Sequence, residues 1–182
     1  MDQVKIYLTS DTHWGHQKII EYCNRPDNYD QLIINHWKAI VAPQDIIYHL
    51  GDVIWGNKQK LTEIMSDLPG RKFLIKGNHD VMHSDNWFYD AGFQGVFSEV
   101  TIRMFGNRYR LSHFPINVAG TKDINIHGHL HNAKYKNWEG IYKEIISENN
   151  YLLALEYVDY SPVLLETAIK NKKVIPTELR KD

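Results

Sequence analysis

The 182 residues fall near the roughly 150 expected of one domain, and a composition of 43% hydrophobic and 24% charged side chains excludes a disordered or low-complexity polymer. Twenty-one basic against 22 acidic side chains leave a net charge of -1, so no overall field draws the chain to nucleic acid or anionic lipid. Cys23 stands alone, which rules out an internal disulfide or a cysteine zinc cluster; with no signal-type apolar stretch after Met1 and no apolar run near ~20 residues, the expectation is one soluble, cytoplasmic domain over residues 1–182.

In chain order, Val4 to Ser10 reads as a short strand, and Asp30 opens a helix with Leu32, Ile33, Trp37, Ile40 and Val41 on one face. Asp45 to Leu50 reads as extended, Lys58 to Leu68 as a helix ended by Pro69-Gly70, and Lys72 to Lys76 as extended again. Gly95 to Phe105 and Tyr109 to Ser112 alternate around Gly106-Asn107 as a hairpin. Ile124 to His127 and Tyr151 to Val158 read as further strands, and Val163 to Lys170 as a closing helix behind Pro162. Strands alternating with helices predict an α/β fold.

Ten histidines are many for this length, and they fall with carboxylates at strand ends. The strand of Ile6 runs into Asp11-Thr12-His13, that of Ile47 into Gly51-Asp52, and that of Leu74 into Gly77-Asn78-His79-Asp80. Arg110-Leu111-Ser112 runs into His113, and Ile124 to His127 runs into Gly128-His129-Leu130-His131. Loops leaving strand C-termini gather at one edge of an α/β sheet, where such folds bind ligands. Singly, an Asp after a strand is usually a turn or cap, and a lone His is usually packed or solvated. Together they form a nitrogen and oxygen set without sulfur, which suits manganese, iron, cobalt, nickel or zinc. Seven such residues exceed what one catalytic ion takes from protein, and two ions sharing a carboxylate would use them all.

The ordered set Asp-x-His, Gly-Asp, Gly-Asn-His-Asp, a later His and Gly-His-x-His, spanning residues 11 to 131, resembles the calcineurin-like metallophosphoesterases. Ser10-Asp11-Thr12-His13-Trp14-Gly15-His16, with Arg25-Pro26 behind it, and Ser112-His113-Phe114-Pro115 resemble its short, uncapped bacterial and phage branch. The resemblance implies two mixed β-sheets packed as a sandwich flanked by helices. It implies two divalent transition-metal ions, manganese first among them: Asp11, His13 and His131 would hold one, Asn78, His113 and His129 the other, and Asp52 would bridge them through its two oxygens. It implies that His79 faces the phosphate as general acid while Asp80 orients its ring, and that a metal-bound water attacks phosphorus in line with the leaving group.

His16 is placed to meet a substrate phosphate, and Arg25 is either a bidentate phosphate donor or a helix-end arginine before the turn at Pro26. His49 and His127 are expected to be packed and neutral, His36 and His83 to be solvent-exposed. Trp14, Trp55 and Phe114 flank the metal loops and supply either packing or a surface on which a base stacks. The expected partner is a small phosphorylated substrate, a nucleotide phosphodiester before a monoester, with no membrane and no long nucleic-acid groove. A nuclease acting on nucleic-acid ends and a noncatalytic metal-binding scaffold are the other readings.

Overall fold

The computed structural model describes residues 3–132, 142, 144–171 and 173–176. Among them are two five-stranded sheets. The first has the order β4 (Gly95–Phe97), β3 (Arg71–Ile75), β2 (Ile46–His49), β1 (Ile6–Thr9) and β9 (Val163–Leu164). The second has the order β10 (Ile175–Pro176), β8 (Asn150–Leu152), β7 (Asp123–His127), β6 (Asn107–Ser112) and β5 (Glu99–Met104). One apolar cluster runs through both, with Leu8, Ile47 and Leu74 from the first sheet and Leu111 and Ile126 from the second. The helices α1 (Gln17–Cys23), α2 (Tyr29–Ile40), α3 (Lys58–Asp67) and α4 (Asp85–Ala91) add Ile19, Ile33, Trp37, Leu61, Met65 and Phe88 to it. The sheets are mixed and share a core, as the expected sandwich requires.

β1 to β4 are parallel, each with its neighbour in the order given, and β6 to β8 are parallel in the second sheet. Parallel strands buried on both sides read as continuous apolar runs, which is why Ile6-Tyr7-Leu8 and Phe73-Leu74-Ile75 were legible. α2 begins at Tyr29 and buries Ile33 and Trp37 as its periodicity predicts, and the Trp37 indole Nε1 donates to Pro69 O at 2.9 Å. α3 is capped by the Asn57 side chain, which accepts from Lys60 N.

Four expectations need correction. The run from Gly95 breaks at Ser98: its first part is β4, on the edge of the first sheet, and its second is β5, on the edge of the other. The hairpin turn lies at Phe105-Gly106, whose φ values of 54° and 76° are those of a tight two-residue loop, and Asn107 already pairs with Met104. The run from Tyr151 yields only β8 and then a 3-10 turn, Leu155–Tyr157. The expected closing helix is instead β9, antiparallel to β1, followed by a 3-10 turn over Leu165–Thr167. A buried pattern at Val163, Leu165 and Ala168 satisfies a short strand and a turn as well as it does a helix.

Candidate metal centre

Because β1, β2 and β3 are parallel, the loops that follow them open at one edge, and His113 after β6 and Gly128 to His131 after β7 meet them there. Backbone hydrogen bonds stitch the loops together: Asp11 N to Gly51 O at 2.9 Å, His13 N to Asp52 O at 3.0 Å and Gly128 N to His113 O at 3.1 Å. Asp11, His13, Asp52, His129 and His131 all hold left-handed backbone, with φ between 46° and 69°. Each such residue costs about 1–2 kcal/mol outside glycine, and strain of this kind collects where geometry is fixed for function. Two of the motif glycines are there for close approach. A Cβ on Gly128 would run into the Ser10 hydroxyl and the Asp11 carboxylate, and one on Gly77 into the carboxylate of Asp52.

Two groups of donor atoms result. In the first, His131 Nε2 lies 3.5 Å and His13 Nε2 4.0 Å from Asp11 Oδ1. That oxygen is buried and accepts no hydrogen bond. In the second, His113 Nε2 lies 2.9 Å from Asn78 Oδ1, 3.2 Å from His129 Nδ1 and 3.5 Å from Asp52 Oδ2. The other His113 nitrogen, Nδ1, donates to Leu50 O at 2.8 Å, which orients the ring so that Nε2 faces these three atoms. Donors on one ion with bonds near 2.1 Å stand about 3.0 to 3.4 Å apart, close to these spacings. Asp52 Oδ2 lies between the groups, 3.6 Å from His13 Nε2 and 3.5 Å from His113 Nε2. Its Oδ1 accepts the His79 N–H at 2.9 Å, so one oxygen of Asp52 faces both groups, where the sequence suggested two.

The electrostatics fit cations. Burial, followed by the neighbouring carboxylates of Asp11 and Asp80 and against the pull of His113, pushes Asp52 up to about 7. Burial holds His13 well below the ordinary imidazole value, neutral and with a lone pair available. Burial opposes a charge on His131, but Asp11 in front of it and Glu156 behind push it up to about 10. Buried carboxylates and imidazole nitrogens converge here, and divalent cations are what such a donor set accommodates.

Behind the donors lies a supporting layer. The Asp80 carboxylate accepts from Asp52 N at 2.7 Å, Gly77 N at 2.8 Å and Val53 N at 3.1 Å. These bonds hold the loop that carries His79; they do not reach the His79 ring, so the expected orienting role gives way to a brace between two loops. His49 accepts from Gly51 N at Nδ1, so its Nε2 carries the proton and donates to Thr12 Oγ1, which donates on to Val53 O. Burial drops its pKa to about 3, in keeping with a packed neutral ring. His127 is likewise buried, its Nδ1 2.9 Å from Gly128 O.

Arg25 departs most from expectation. Its side chain is 0% exposed and cannot meet a substrate. Nε donates to Glu156 Oε1 at 2.8 Å and Nη2 lies 2.7 Å from the same oxygen, while Nη2 donates to Asp11 O at 2.9 Å and Nη1 to Thr12 O at 3.1 Å. Burial opposes the charge on Glu156, but Arg25 and then His131 outweigh it and hold the acid down to about 2. Sequence reasoning missed Glu156 altogether. The signal was present: it is the one charged side chain in the apolar run 151–158.

The open side of the site carries His79 and a sparse rim. The His79 side chain is 43% exposed, with Nε2 3.9 Å from Asp52 Oδ2. Trp55, 54% exposed, sets its ring 5.5 Å from that of His79 and 4.5 Å from that of His16, while Phe114 stands 4.5 Å from His129 on the other side. His16 lies beside the donors, its ring 5.7 Å from that of His13. Trp14 is fully buried and belongs to the core. His36 is tied to Asp159 O at 2.7 Å and His83 stacks on Trp87 at 4.0 Å, so neither ring is simply solvated.

The model of the calcineurin-like phosphoesterase family matches residues 4–167. The chain belongs to that family. Among curated proteins it is 32% identical over 181 residues to an uncharacterized protein of Methanocaldococcus jannaschii, covering 93% of this chain and 92% of that one. The gene 66 protein of Mycobacterium phage L5 is 31% identical over 158 residues, 69% of this chain and 76% of its own length. Among solved structures, a protein of unknown function from Aquifex aeolicus superposes with a TM-score of 0.70 at 27% identity, over 93% of this chain and all of that one. Metal-dependent phosphoester hydrolysis is the activity the family suggests, and the clustered Asp and His residues are able to hold metal. No helix among the described residues is long and apolar enough to cross a membrane.

The buried ion pair makes a prediction. Arg25→Met leaves Glu156 charged, buried and without its counterion, so stability should fall by about 3–5 kcal/mol, read by urea unfolding. An Arg25 that bound substrate would instead raise KM and leave stability unchanged.

Proposed function

We propose that this chain hydrolyses a small phosphate ester with two divalent transition-metal ions, manganese before iron, zinc, nickel or cobalt. The observation that carries this reading is Asp52 Oδ2, set within 3.6 Å of a histidine nitrogen from each donor group. Asp11, His13 and His131 would hold one ion, Asn78, His113 and His129 the other, and Asp52 would be shared between them. Ions at such a site provide a nucleophile near neutral pH by acidifying water, and balance the charge of the phosphate oxygens.

The chain supplies the rest. The braced loops fix the donors before substrate arrives, so no rearrangement cost falls on the reaction. His79 is exposed and anchored through its backbone N–H on Asp52 Oδ1, with its ring 5.4 Å from that of His13. An imidazole there is placed to give its proton to the departing oxygen. His16, one ring beyond His13, meets a phosphate oxygen at the rim. Trp55 and Phe114 suit the base of a nucleotide, the resemblance to the short uncapped branch favours a phosphodiester over a monoester, and the short rim loops favour a small ester over a folded phosphoprotein. The chain acts in the cytoplasm.

Three measurements check this. Metal analysis after saturation with manganese should give two ions per chain and, for Asp52→Asn, fewer than two; one ion in the wild type contradicts the shared carboxylate. His79→Ala should lower kcat by about 10²- to 10⁴-fold with metal content unchanged, whereas His131→Ala should lose metal; equal depletion in both would show the roles misassigned. In kcat/KM, a cyclic nucleotide or nucleoside monophosphate should exceed a phosphopeptide and duplex DNA, and a tenfold advantage for either of the latter overturns the substrate assignment.

A further inference from the structure

Glu156 sits on the 3-10 turn Leu155–Tyr157, remote in sequence from every motif, yet its Oε1 lies 3.3 Å from Nδ1 of His131. Arg25 Nη2 is almost as near that nitrogen, at 3.4 Å. The two contacts demand opposite tautomers: Nδ1 must donate to a carboxylate but would have to accept from a guanidinium. Contact length decides between them. Nη2 donates to Asp11 O at 2.9 Å and lies 2.7 Å from Glu156 Oε1, both shorter than its contact with Nδ1. The carboxylate can only accept and is the nearer partner of Nδ1, so Nδ1 is the donor and Glu156 the acceptor.

We propose, building on the phosphoesterase reading above, that Glu156 is a positioning residue for the metal centre: it fixes His131 with Nδ1 as hydrogen-bond donor and Nε2 facing Asp11, and Arg25 locks Glu156 in that pose. Nε2 stands 3.5 Å from Asp11 Oδ1 on the donor side. A carboxylate on the far nitrogen fixes the ring's orientation and raises the basicity of the near one. Arg25 and Glu156 are buried as a neutral pair, so the arrangement adds no net charge behind the site. Cys23, His131 and Glu156 also lie close enough together to suggest a separate ion site. The Arg25 guanidinium already contacts Glu156 and His131 there, and it takes the place a cation would occupy.

The test pairs two readouts. In metal-free wild-type protein labelled with ¹⁵N at histidine, Nδ1 of His131 should carry a proton seen by its one-bond coupling, and Glu156→Gln should make that proton exchange faster. A bare Nδ1 in the wild type overturns the proposal without reference to any variant. In Mn²⁺ titrations, Glu156→Gln should weaken one of two binding steps by about 10- to 100-fold and leave the other unchanged, a split that general loss of structure would not give. Equal weakening of both steps, or none, in a wild type that binds two ions overturns this proposal alone. A wild type that takes up no Mn²⁺ overturns the phosphoesterase reading and this extension with it.

Discussion

The organising constraint is the burial of carboxylates and imidazoles against one another. Asp11 Oδ1 accepts no hydrogen bond among the described residues, Asp52 Oδ2 faces imidazole nitrogens on two sides, and His113 Nε2 faces Asn78 Oδ1 and His129 Nδ1. Left uncompensated in a buried setting, such a set would cost several kcal/mol. Hydrophobic packing of the two sheets secures the frame, and the strained loops are the part of it given over to chemistry.

The strain and the bracing belong together. Five donor residues hold left-handed backbone, a conformation that persists only where surroundings over-determine it. Here the surroundings are specific: Asp80 gathers three backbone N–H groups, a hydrogen-bond chain runs from His49 through Thr12 to Val53 O, and Arg25 binds the carbonyls of Asp11 and Thr12. Each of these polar side chains is buried, and each binds the backbone of a loop that carries donors. The result is a braced donor set with an open side, where among the described residues His79, His16, Trp55 and Phe114 stand.

Much of this was legible in the sequence. The motifs from Asp11 to His131 stand at the ends of parallel strands, and a parallel strand announces itself as an apolar run that stops at a polar loop. Where alternation or periodicity was the only guide, it failed for local reasons. The run after Gly95 passes from one sheet to the other without any change in its apolar pattern, and the segments after Tyr151 and Pro162 are too short for a period to declare itself. Arg25 looked like a phosphate ligand because arginine beside a metal motif has that chemistry; burial against Glu156 gives the same chemistry an internal acceptor.

By itself, then, the sequence determined the order of the strands and helices that carry the motifs, the family and which Asp and His residues gather at one edge, because each depends on residue type and spacing along a short stretch of chain. Tertiary structure alone decided which oxygen of Asp52 faces inward, that Asp80 braces loops, and that Arg25 and Glu156, 131 residues apart, close on one another behind His131. Those outcomes turn on which polar partner is nearest once water is excluded, and that is set by three-dimensional proximity, which no local pattern encodes.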